Sequence, residues 1–253
     1  MSDVRTRATI KALAERAGLS SVIDCYRSLR TPDWVRRNNR DEAQLRAVLA
    51  AVLTKDSSCI DVGAANGKIL GEIVRVAPLG RHVAFEPRPD AALVLTREFP
   101  GVEVRQAALS DAPGRLPFTL VTTMPQLSGF SPAHWPHAKT TTETIDVTVE
   151  CLDAVVGDRP ISLVKIDVEG AELAVLRGAI GTLASCRPLI VFEHGRTTPG
   201  DASDPEHGDI FDLLTLDPLG LRVFDIDGVG PLTKPEFAAA SASGTMWSFM
   251  ARA

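Results

Sequence analysis

The sequence predicts an α/β fold: a mostly parallel sheet covered by helices on both faces. Three observations carry this expectation. From residue 59 onward, short apolar runs alternate with helical patterns, the rhythm of parallel strands joined by crossover helices. Five of these runs end at or near an acid, namely Asp61, Glu86, Asp111, Asp167 and Glu193. A glycine-bearing turn, Asp61-Val62-Gly63-Ala64-Ala65-Asn66-Gly67, follows the first run. Open parallel sheets bind ligands at the carboxyl edge of their strands, so acids gathered there are candidates for chemistry. Any one of them alone would suit a turn.

Residues 1–30 are predicted helical, with Ile10, Leu13, Ala14 and Ala17 on one face. Thr31-Pro32-Asp33 breaks that pattern, and Pro32 can open a new turn or helix at Trp34. Arg36-Arg37-Asn38-Asn39-Arg40 reads as a solvated basic link, with a cap over an anionic substrate as the other possibility. A second helix is expected over 41–53, where Leu45, Val48, Leu49 and Val52 recur at helical spacing. Residues 1–54 are therefore assigned to a helical extension or cap and 55–253 to the α/β domain.

Within that domain, strand one spans 59–62 with a helix over 68–77, and strand two spans 82–85 with a helix over 90–99. Strand three covers 102–107. Residues 113–158 break the rhythm: 116–123 and 144–150 alternate as strands do, around a loop rich in Pro, Ser, Thr and His. A connection of this length inside a compact domain is usually a lid or binding loop. Strand four is the run Ser162-Leu163-Val164-Lys165-Ile166-Asp167, followed by a turn at Gly170. Its helix opens at Glu172, where a negative charge suits the dipole, and runs to about 183. Strand five covers 188–192 and ends in Glu193-His194. A polar loop over 196–208 and a helix over 209–216 follow. Two final strands, 221–226 and 245–251, are close enough in sequence to pair antiparallel at a sheet edge.

Composition narrows the function. A net charge of −5 argues against a nucleic-acid binder with a broad basic face. No apolar run approaches 18 residues, so no membrane span is expected, and the first residues lack the apolar core of a secretion signal. Cys25, Cys59, Cys151 and Cys186 are widely separated, as in reduced thiols of a cytoplasmic protein.

The turn at Gly63 permits a backbone shape closed to other residues, and free N–H groups at the next helix start favour an anionic group such as a carboxylate. Its D-x-G-x-x-x-G spacing differs from the G-x-G-x-x-G of pyrophosphate-binding dehydrogenases. Glu86, about 20 residues beyond the turn, is placed to accept hydrogen bonds from ribose hydroxyls.

Four blocks then carry a family resemblance: Ile60-Asp61-Val62-Gly63-Ala64, Phe85-Glu86-Pro87, Ala108-Leu109-Ser110-Asp111 and Leu163-Val164-Lys165-Ile166-Asp167-Val168-Glu169-Gly170-Ala171-Glu172. Together with Val175-Leu176-Arg177-Gly178-Ala179 they resemble the FkbM family of S-adenosylmethionine-dependent methyltransferases. Ala65 stands where much of the wider superfamily has a second glycine. The resemblance implies a class I methyltransferase (Rossmann-like) sheet of order 3-2-1-4-5-7-6 with strand seven antiparallel. It implies S-adenosylmethionine as cofactor, with Asp61 among its binding residues, Gly63, Ala64 and Gly67 toward the methionine half and Glu86 on the ribose. Ala108 and Asp111 would face the adenine, and Asp167 the transferring methyl.

Methyl transfer to a hydroxyl needs alignment and a base, usually His or a carboxylate. His194 is the leading candidate by type and position, with Asp167 and Glu193 beside it and Lys165 on the same strand face as Asp167. Asp167, Glu193 and His194 could alternatively hold a divalent cation. His134, His137 and His207 lie on candidate lid loops. The expectation is an O-methyltransferase acting on a small-molecule acceptor such as a sugar or secondary metabolite, with a homodimer as the default assembly. An N-methyltransferase, a nicotinamide-dependent oxidoreductase and a catalytically silent binding protein are the alternatives.

Overall fold

The computed structural model describes residues 33–125, 128–130, 141–168, 170–195, 205–243 and 246–253. The helix expected over 1–30, the residues His134, His137 and Glu169, and the His207 side chain lie outside the described residues, as does the loop 196–204.

The first helix among the described residues, α1 (Asp33–Val52), is a single 20-residue element. The basic stretch 36–40 therefore lies inside a helix rather than in a link. By backbone proximity the chain separates into residues 1–43 and 44–253. The division falls within α1 and not after residue 54. Leu45, Leu49 and Leu53 are buried with Cys59, Ile73 and Leu163, which counts the end of α1 with the sheet.

The expected alternation follows. Strand β1 (Cys59–Val62) leads to α2 (Lys68–Val76), β2 (Val83–Phe85) to α3 (Pro89–Glu98), and then comes β3 (Glu103–Arg105). Strand β7 (Leu163–Ile166) is followed by α5 (Glu172–Arg177) and α6 (Ile180–Cys186), and β8 (Leu189–Glu193) by α7 (Pro205–Thr215). The single helix expected up to about 183 is thus two pieces. Strand β9 (Arg222–Asp225), helix α8 (Lys234–Ala242) and strand β10 (Ser248–Arg252) complete the domain.

Among the described residues the main sheet has seven strands in the order β3-β2-β1-β7-β8-β10-β9. Strands β3 to β8 run parallel, and β10 is antiparallel to both β8 and β9. This is the order the resemblance implied. Strands β1, β2 and β7 are buried along their whole length, as a sheet covered on both faces requires. Ile60, Val62, Val164, Ile166, Ile190 and Phe192 lie in the main core beneath α5 to α8.

The stretch expected as one strand over 102–107 ends early. After β3 the chain leaves the main sheet, and β4 (Ala108–Leu109) begins a second one with β5 (Gly114–Val121) and β6 (Thr142–Glu150), in the order β4-β6-β5. The inserted hairpin is thus a small sheet of its own, closed by the short helix α4 (Leu152–Val156). Arg105 on β3 forks onto both carboxylate oxygens of Glu150 at 2.6 and 2.8 Å, which ties the two sheets together at their junction.

Candidate active site

Strands β1 and β7 are neighbours in the middle of the sheet, and the chain leaves them in opposite directions, to β2 on one side and β8 on the other. Such a switch point opens a crevice at the carboxyl ends of the strands. The parallel register sets Asp61 opposite Lys165. The Lys165 ammonium lies 3.1 Å from Asp61 Oδ1 and 3.3 Å from Asp167 Oδ2, and it donates to the Gly63 carbonyl at 3.1 Å. Three contacts match its three N–H groups. Asp61 is almost wholly buried, and neither of its oxygens has a well-aligned hydrogen bond among the described residues, so its contact with Lys165 is an ion pair.

Burial alone would pull the Lys165 pKa down, but Asp61, Asp167 and Glu193 outweigh it and hold the ammonium charged well beyond the usual lysine range. Burial pushes the Asp61 carboxyl up, with repulsion from Asp167 and Glu86 in the same direction and Lys165 opposing. Two cations, the Lys165 ammonium and the Arg88 guanidinium, thus sit among the carboxylates of Asp61, Glu86, Asp167 and Glu193.

The turn after β1 is built by close approach. Gly63 has φ +77°, and a Cβ there would sit 2.0 Å from the backbone oxygen of Asp167. Only a hydrogen fits, so the turn and the end of β7 touch directly. The N–H groups of Gly63 and Ala64 both donate to the Phe85 carbonyl, at 2.9 and 3.1 Å. Ala65 has φ +50°, the left-handed region in which a side chain is strained, and its N–H donates to Glu86 Oε2 at 2.8 Å. Glu86 Oε1 accepts from the backbone N–H and the Nε of Arg88, at 3.0 and 2.9 Å. A carboxylate offers about four acceptor positions, so roughly one remains for a ligand hydroxyl.

A cleft enclosing about 600 Å³, part of it open to solvent, runs along these strand ends. Val62, Gly63, Ala65, Glu86, Ala108, Asp167 and Val168 form the sheet side. Phe118, Pro125, Ser128, Gly129 and Phe130 of the inserted segment form the facing wall.

Residues 61–221, well over half of the chain, match the family described as the methyltransferase FkbM domain. The chain belongs to the FkbM methyltransferase family. It is 31% identical over 146 residues to Methyltransferase 1 of Beauveria bassiana, covering 49% of this chain and 58% of that protein. It is 30% identical over 161 residues to Methyltransferase sdnD of Sordaria araneosa, covering 51% and 62%. The matched region thus spans less than two thirds of either relative. The crystal structure of methyltransferase FkbM from Methylobacillus flagellatus KT superimposes with a TM-score of 0.50 at 14% identity, over 79% of this chain and 44% of that one, which is a likeness of fold. The family assignment leaves the oxidoreductase alternative without support.

The FkbM domain brings Gly63, Glu86, Ala108 and Asp167 to the cleft, with Asp61 and Lys165 directly beneath. Ala64 is buried behind the turn. Gly67 faces Leu95 and Phe99, each 2.7 Å from a Cβ built there, so it serves the packing of α2 on α3. Asp111 is exposed on a turn outside the cleft lining, where Ser110 Oγ donates to it at 3.2 Å. Glu193 is half-buried and acts on the crevice through its field at Lys165.

His194 is buried, and its ring lies parallel to Phe237 of α8 with centroids 5.7 Å apart, away from the cleft lining. Among the described residues no three His, Cys, Asp or Glu side chains are grouped to hold a metal ion, and that includes Asp167, Glu193 and His194. Arg88, Phe118 and Phe130 line the cleft without having been singled out in the sequence. Both phenylalanines of the insertion line the cleft, and their place in a segment read as a binding loop was the available signal.

Proposed function

We propose that this FkbM domain transfers the methyl group of S-adenosylmethionine to a hydroxyl of a small-molecule acceptor. The observation that carries the reading is the placement of Asp167: one third exposed in the cleft, against the glycine turn, and 3.3 Å from a buried ammonium. The residues present fit the cofactor. Glu86 keeps an acceptor position for a ribose hydroxyl, and the Gly63 turn lets a ligand approach the main chain.

When bound, S-adenosylmethionine supplies a methyl group on a positively charged sulfur. The chain's own work is then alignment, exclusion of water and removal of the acceptor's proton. Asp167 is the proton acceptor of this proposal, since it lines the cleft while His194 is stacked on Phe237. Lys165 pairs with Asp167 at 3.3 Å and fixes its position against the turn.

Calorimetric titration tests the cofactor reading. Wild type is expected to bind S-adenosylmethionine, and Glu86→Ala to bind it roughly 10- to 100-fold more weakly, the scale of one hydrogen bond to a charged group. Turnover with panels of hydroxyl and amine acceptors tests the rest. Asp167→Asn is expected to lower kcat about 100-fold or more with cofactor affinity retained. Methylation of amines alone would overturn the hydroxyl assignment.

A further inference from the structure

The facing wall of the cleft is built rather than incidental. The segment carrying Phe130 folds back onto β5 through a two-way backbone bridge: Thr119 N–H donates to the Gly129 carbonyl at 3.0 Å, and Gly129 N–H to the Thr119 carbonyl at 3.1 Å. The Val121 N–H adds a third tie, to Ser128 Oγ at 2.9 Å. These bonds set Phe130 edge-on to Phe118, with ring centroids 5.4 Å apart and planes at 87°. Phe118 is buried in a small core with Ala108, Val147 and Val149, so it serves as a rigid backing. Phe130 is only partly buried, and both rings border the cleft. An aromatic ring fixed at this cost, with surface left open to a cavity, is a recognition surface.

Its position selects the ligand. The second sheet departs from the end of β3, and Phe118 packs with Ala108 at that departure. From β7, which carries Asp167, to β3 is three strand spacings through β1 and β2, about 14 Å. The second sheet thus begins on the far side of Glu86, which follows β2, from Asp167. On the cofactor reading proposed above, on which this inference rests, the group beyond the ribose is the purine. We infer that Phe130, buttressed by Phe118, is the stacking platform for the purine ring, and that the inserted hairpin is part of the nucleoside site rather than a lid for the acceptor.

Calorimetry on the full chain with two probes tests this: S-adenosylhomocysteine, and 5′-deoxy-5′-methylthioadenosine, which carries the nucleoside without the amino acid. Phe130→Ala is expected to weaken both by a similar factor, roughly 5- to 100-fold, the range for loss of base–aromatic stacking. Phe130→Leu, which keeps apolar bulk and loses the ring, is expected to weaken both as well, and Phe130→Tyr to bind both like wild type. Unchanged affinity for both probes in the alanine and leucine variants, beside tight wild-type binding, overturns the platform alone. A raised acceptor KM at unchanged affinity for S-adenosylhomocysteine also overturns it, by making the wall an acceptor surface. Failure of wild type to bind either probe overturns the cofactor reading and this inference together.

Discussion

Ala65 holds a left-handed backbone conformation at the position where a second glycine is common in the wider superfamily. An L-residue there is strained by roughly 1–2 kcal/mol. Ala65→Gly relieves that strain but gives the unfolded chain back roughly 0.4–1 kcal/mol of freedom. The difference predicts a stabilisation of at most about 1.5 kcal/mol, read as a higher urea midpoint at unchanged slope. Two residues away, Gly63→Ala is expected to go the other way by more, because its methyl would enter the Asp167 backbone. At this scale the sequence was legible in place, since Gly63, Glu86 and Asp167 all line the cleft. It misplaced His194 because a strand end says nothing about which neighbour a ring will stack on. Phe237 lies 43 positions further along the chain and on another element.

Elements were legible when they carried a period. The core strands, α2 and α3 are apolar in the right rhythm and fall within a few residues of expectation, whereas α1 begins at Asp33, well before the expected 41. The missed helix α8 is alanine-rich and lacks such a stripe, yet its start is signalled by Thr233-Lys234-Pro235-Glu236. Both the N–H and the hydroxyl of Thr233 donate to Glu236 Oε2, at 2.8 and 2.7 Å. The break between α5 and α6 was not legible, because what begins α6 comes from elsewhere. Asp153 of α4 accepts from the N–H groups of Gly181 and Thr182 at 2.9 and 2.7 Å. Asp153→Ala is expected to cost about 1 kcal/mol, within the range for a lost cap. In a domain of this size that is a fall in Tm of about 2–4 °C. A Tm equal to wild type would mean that solvent satisfies those N–H groups equally well.

At the scale of the whole molecule, one buried titratable ring lies at the opposite edge of the sheet from the cleft. His82, at the entry to β2, is buried with Nε2–H donating to the Ala77 carbonyl at 2.8 Å and Nδ1 accepting from Cys59 N–H at 3.3 Å. The bond from Cys59 requires the neutral ring, whereas the bond to Ala77 survives protonation. Burial holds its pKa below the ordinary 6.5, with the Ala77 bond opposing. The unfolded chain therefore takes up a proton that the folded one refuses. This part of the stability is complete above about pH 6.5 and is lost as pH falls toward the folded pKa, by up to about 1.4 kcal/mol for each pH unit crossed. Denaturation midpoints at pH 7.5 and 5.5 should differ less in His82→Gln than in wild type, and an equal difference would remove His82 as the cause. Affinity for the cofactor should not follow this change, since the cleft lies at the other edge.

The seating of β10 between β8 and β9 has a consequence for how the chain is made. Both neighbours precede it in sequence, so on a ribosome β9 emerges with no strand to join. Phe192, already synthesised, waits for Phe249, its partner across the ladder and the ring it stacks against at 5.8 Å. The half of the sheet that forms the cleft can pair as it appears, through β1, β2, β7 and β8. At roughly 5–20 residues per second, the interval between β8 and β10 lasts seconds. During it the apolar edge of a nearly finished domain is open, and a chaperone has its opportunity.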